Sequence, residues 1–64
     1  MPHIQITMLE GRTPEQKRKV AERVTQVVVE EIGTKREAVT VAFIEVSPAN
    51  YAAAGVLALD RQKT

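Results

Sequence analysis

Polar and apolar positions change rhythm along the chain. From residue 2 to 9 they alternate, with Ile4, Ile6 and Met8 separated by His3, Gln5 and Thr7, the two-residue period of a half-buried strand. Glu10-Gly11-Arg12 reads as the turn out of it. The period then lengthens: Val20, Ala21, Val24, Val27, Val28 and Ile32 recur at steps of three and four, the stripe of a helix with one buried face. Thr13 suits the N-cap of that helix, Pro14 its first position, and Gln16 the far side of a capping box. Gly33 is the natural stop. Lys17, Arg18, Lys19, Glu22, Arg23, Glu30 and Glu31 are assigned to its solvated face, with Glu15 and Lys19 as a favourable i,i+4 pair. The Val27–Val29 run has strand propensity, but the cap and the long periodic stretch outweigh it. Residues 34–37 read as a short turn, at most a single 3₁₀ turn. Residues 39–46 are the clearest strand, broken by Ser47-Pro48-Ala49-Asn50. Tyr51 to Gly55 is small and apolar, which suggests close backbone approach. Val56, Leu57 and Leu59 are left to pair or pack ahead of a polar tail, residues 60–64.

Strand, helix and strand in about 45 residues predict a βαβ unit of the α+β class, with parallel strands and a right-handed crossover. The second strand is apolar on both faces, Val39, Val41 and Phe43 on one and Ala42, Ile44 and Val46 on the other. A strand buried on both sides needs two covers, and the pattern supplies one helix. The expected protomer is therefore incomplete, with oligomerisation finishing its core. Length agrees. The 64 residues read as one domain over 1–64, and a chain of this size buries only about 60% of its unfolded surface. Disulfides cannot reinforce it, because there is no cysteine. A single histidine, His3, and no cluster with ligand spacing predict no metal site.

Charge and hydropathy remove further classes. A net charge of +1 with Phe43 and Tyr51 as the only aromatics argues against a nucleic-acid partner. No apolar run approaches the ~20 residues of a membrane span, and the start lacks the pattern of a signal peptide. A cytoplasmic location is the expectation.

The candidate chemistry sits at the front. Pro2 follows Met1, and removal of Met1 would turn an inert amide into a free secondary amine. A terminal α-amine titrates at about 7.7–8.0 in model peptides. Apolar walls disfavour the ammonium, and a nearby cation such as Arg12 pushes the same way. The result would be a neutral general base at pH 7.

Pro2, the Leu-Glu-Gly-Arg turn that contains Arg12, the Glu15-Gln16-Lys17 helix start and Tyr51 before a small-residue stretch together resemble the 4-oxalocrotonate tautomerase family across nearly the whole chain. The resemblance implies a homo-oligomer of β-α-β protomers, a hexamer in much of the family and smaller or mixed assemblies in some branches. It implies no cofactor and a small-molecule partner, an unsaturated 2-oxo acid whose enol and keto forms are interconverted. Pro2 would carry the proton, Arg12 would hold the carboxylate remote from the keto group, and Tyr51 would stand where the family places an aromatic wall, usually phenylalanine. One departure is expected to matter. Well-characterised members carry an arginine at the start of the second strand, and this chain has Thr40 there. A hydroxyl cannot replace a bidentate cationic fork, so preference for a dicarboxylate should weaken, unless Arg36 or Lys35 reaches in. Other readings are iminium, hydratase or decarboxylase chemistry on the same proline, or a non-catalytic oligomeric binding module. Glu45, alone in an apolar strand, is expected to be paired or exposed at an interface.

Overall fold

A computed structural model describes residues 1–61. The chain runs β1 (His3–Leu9), α1 (Pro14–Ile32), β2 (Thr40–Val46), β3 (Ala52–Ala53), β4 (Val56–Leu57) and α2 (Ala58–Arg61), with single 3₁₀ turns at Arg36–Ala38 and Pro48–Asn50. The expected βαβ unit is present: β1 and β2 are parallel, in register from His3↔Thr40 to Leu9↔Val46. The tail residues 62–64 lie outside the described residues.

Local chemistry explains the boundaries. The Gln16 N–H donates to Thr13 Oγ1 at 3.1 Å and the Thr13 N–H donates to Gln16 Oε1 at 3.0 Å, so two of the helix's orphan donors are satisfied at once. At the other end Gly33 takes φ +81° and its N–H donates to the Val29 carbonyl at 3.0 Å, a left-handed cap that costs a side-chain-bearing residue more. The Arg36 guanidinium reaches back over α1, donating to Glu22 at 2.8 Å and Gln26 at 2.6 Å. β2 begins at Thr40, one residue later than the sequence pattern suggests, because the Val39 N–H is still bonded to the Arg36 carbonyl of the 3₁₀ turn at 3.1 Å.

The small apolar stretch after Tyr51 is a hairpin. Ala52 pairs with Leu57 and Ala53 with Val56, around a two-residue loop in which Ala54 and Gly55 take φ +53° and +79°. Positive φ at both central residues matches the right-handed twist of the strands. Leu59 falls in α2 rather than in the pair.

The two faces of the main sheet differ. Ile4, Ile6, Met8, Val41, Phe43 and Glu45 face α1. The opposite face carries His3, Gln5, Thr7 and Leu9 from β1 and Thr40, Ala42, Ile44 and Val46 from β2, with no formally charged side chain among them. No described element of the protomer packs over it, and Ile44 is 42% exposed. No described residue is fully shielded from solvent, and on the helix Val27 and Ile32 are 56% and 67% exposed. The protomer shows 4976 Å² of accessible surface, against about 4,100 Å² for a folded monomer of its mass. The excess resembles the roughly 800 Å² that one partner contributes to a standard interface. Both strands of a two-stranded sheet are also edges, with backbone groups open to further pairing.

Candidate active site

Pro2 is half-exposed at the start of β1, and its carbonyl accepts the Thr40 N–H at 3.1 Å. Met1 ahead of it is 96% exposed. With Met1 attached, the Pro2 nitrogen is an amide and has no basicity to offer.

Arg12 stands at the other end. It follows the turn after Leu9, where the Glu10 N–H donates to the Val46 carbonyl at 2.9 Å and ties the exit of β1 to the exit of β2. Arg12 edges a cleft of ≈ 250 Å³ lined also by Met8, Gln16, Lys17, Val20 and Phe43. The floor is apolar. Lys17 is not a plain solvated residue of the helix face: its Nζ lies 2.6 Å from Glu45 Oε2, with the two side chains 25% and 34% exposed. Glu45 is thus paired, one of the two expected fates. Arg12 has no hydrogen-bonded or ionic partner among the described residues, and it sits beside the N-terminus of α1, where a cation is disfavoured.

Tyr51 belongs to the Arg12 end as well. With Leu9, Ala53, Val56, Ala58 and Arg61 it lines a depression of ≈ 170 Å³, and its carbonyl accepts the Ala58 N–H at 2.8 Å. Arg61 donates to the Ala53 carbonyl at 2.7 Å, bracing the hairpin that backs the ring.

One protomer therefore does not bring Pro2 together with Arg12 and Tyr51. A strand rises about 3.3 Å per residue, which places Pro2 roughly 20 Å or more from the turn that carries Arg12. Nor does Arg36 reach in beside Thr40, since Glu22 and Gln26 hold it. The Thr40 hydroxyl is itself engaged, 2.8 Å from His3 Nδ1. Spacing alone gave no sign of this last pair, whose members are 37 positions apart; only the register of the strands reveals it.

The family model for the tautomerase enzyme matches residues 2–61. The chain belongs to the tautomerase family. A 2-hydroxymuconate tautomerase of Bacillus subtilis (strain 168) is 46% identical over 55 residues, 86% of this chain and 89% of the relative. Among solved structures, a 4-oxalocrotonate tautomerase isozyme of Methylibium petroleiphilum superposes with a TM-score of 0.93 at 36% identity, covering 95% of each chain. A heterohexameric 4-oxalocrotonate tautomerase of Chloroflexus aurantiacus gives 0.90 at 28% identity, covering 94% of this chain and 97% of the other. The β-α-β tautomerase fold is the one expected from the sequence, and tautomerase activity is the class of chemistry these similarities support.

Proposed function

We propose that this tautomerase interconverts enol and keto, or β,γ- and α,β-unsaturated, forms of a 2-oxo acid. The base is the Pro2 amine released by loss of Met1, acting in a site shared between copies of the chain. The separation of Pro2 from Arg12 and Tyr51 along β1 carries the reading. Opposite ends of one strand come together when a second copy lies antiparallel, so that residue 2 of one protomer meets residues 12 and 51 of another. The free strand edges, the uncharged sheet face and the excess surface supply the means of association. A two-fold relation of this kind is the commonest symmetry of homo-oligomers, and a hexamer would stack three such pairs.

In that site the neutral amine takes a proton from the carbon between the alkene and the carbonyl. The C–H electron pair spreads as a dienolate, and the ammonium returns the proton at the far carbon. Arg12 holds the remote carboxylate and draws electron density toward it, stabilising charge where it develops. Tyr51 and the apolar walls keep water out and favour the uncharged amine.

Thr40 offers no cation to the carboxylate beside the keto group, and its hydroxyl is already bonded. The dicarboxylate 2-hydroxymuconate should therefore keep over a monocarboxylate such as phenylenolpyruvate only the advantage that Arg12 gives it. Ketonisation assays on both, with Arg12→Ala alongside, test this; a strong preference for the dicarboxylate that survives Arg12→Ala overturns it. Intact mass should show the loss of one methionine. Pro2→Ala should lower kcat/KM about 10²-fold or more, the scale of general-base catalysis, without dispersing the oligomer. Activity should also fall as pH drops through the amine's titration, since only the unprotonated form accepts a proton. Full activity of the Pro2→Ala protein would end the proposal.

A further inference from the structure

The end of the sheet that carries Pro2 is fastened by one residue of the neighbouring strand. The Thr40 backbone N–H donates to the Pro2 carbonyl at 3.1 Å, and Thr40 Oγ1 lies 2.8 Å from His3 Nδ1. Thr40 thus holds residue 2 through the main chain and residue 3 through a side chain, and it is the register partner of His3. Two attachments act on the peptide unit that joins Pro2 to His3. The main-chain bond restrains it at its oxygen, and the side-chain bond restrains the residue at its other end. What remains free is rotation about the Pro2 Cα–C bond.

Restraint of this kind is needed at a chain terminus. The first residues of a domain fray unless they are tied down, while a catalytic group must be held within about 0.5 Å of its working position. A misplacement of about 1 Å can cost on the order of 10²-fold in rate. The bond also tolerates either state of the imidazole: the hydroxyl donates to a bare Nδ1 or accepts from Nδ1–H.

We propose that His3 and Thr40 are positioning residues for the Pro2 amine, their cross-strand hydrogen bond fixing the peptide unit from which the ring nitrogen projects. The proposal rests on Pro2 being the base. Neither side chain need touch the substrate. Thr40 then has a task of its own in this chain, beyond being a weak donor where a cation would bind an anion.

The test is steady-state kinetics on the Met1-trimmed oligomer. Thr40→Val removes the hydroxyl and keeps the shape; Thr40→Ser keeps the hydroxyl; His3→Phe removes the ring nitrogen and keeps the bulk. Thr40→Val and His3→Phe should each lower kcat about tenfold while KM stays within about twofold, as loss of alignment predicts. Thr40→Ser should keep most of kcat. Because both substitutions break one bond, the double variant should be no slower than the worse single one. Wild-type kcat in Thr40→Val overturns the proposal, as does a loss confined to KM, which would make the hydroxyl a substrate contact. Multiplying losses in the double variant overturn it as well. Should Thr40→Val fail to assemble, His3→Phe alone decides, with wild-type kcat counting against it. Pro2→Ala assayed alongside separates the two ideas: if it is inactive while Thr40→Val is fully active, only the fastening falls.

Discussion

Arg12 is a residue that stability does not account for. It has no partner among the described residues and stands at the helix end where the macrodipole disfavours a cation by about 0.3–1 kcal/mol. Arg12→Ala should therefore leave the melting temperature unchanged or slightly raised, at fixed protomer concentration. The same change should lower kcat/KM by about 10- to 100-fold, the scale of a lost charge-assisted hydrogen bond. Thermal unfolding and kinetics on one preparation check both halves, and a marked drop in stability would make Arg12 structural instead. Lys17 is the contrast: the same cleft holds it, but Glu45 at 2.6 Å answers its charge. The sequence marked Glu45 as needing an explanation, because a lone carboxylate in an apolar strand is out of place. It did not mark Lys17, since a lysine on a charged helix face looks ordinary until the opposing strand is in view.

At the scale of elements, the boundaries of β1 and α1 follow from side chains acting over three or four residues, which is why they could be read directly. Thr13 and Gln16 announce the start of α1, and Gly33 its end. Thr13→Ala removes one side of a reciprocal cap and should cost about 1 kcal/mol per protomer, measurable by denaturant unfolding. The hairpin was harder to see. Ala52 to Leu57 has no polar loop residue, and the turn places Ala54 at φ +53°, where an L-residue with a Cβ is disfavoured by roughly 1–2 kcal/mol. Asparagine tolerates that conformation better, and Asn-Gly is the preferred pair for such a loop. Ala54→Asn should accordingly raise stability by up to about 1 kcal/mol, visible as a higher melting temperature; no change or a decrease would mean that the loop relaxes on assembly.

For the whole molecule, the apolar character of both faces of β2 foretold a protomer unable to close its own core, and the exposed Ile44, Val27 and Ile32 bear this out. That Pro2 and Arg12 lie at opposite ends of the first strand was readable in the alternation itself; how they could share a site was not, because under the proposed arrangement that depends on a relation between copies. That relation has a quantitative consequence. If each site takes Pro2 from one copy and Arg12 from another, co-refolding equal amounts of Pro2→Ala and Arg12→Ala protomers should restore about one quarter of wild-type activity, by random pairing in a symmetric assembly. Sites built within single protomers would restore none. The uncharged sheet face bears on the medium. Association through a surface without formal charges should resist sodium chloride and be favoured by sulfate, which native mass or sedimentation at several salt concentrations would reveal. Finally, Met1 projects almost wholly into water, open to an aminopeptidase, while the ring behind it is chemically silent until that cut is made. If Pro2 is the base, the polypeptide that still carries Met1 is a zymogen with a one-residue propeptide, and the onset of turnover should keep time with its trimming and not with folding.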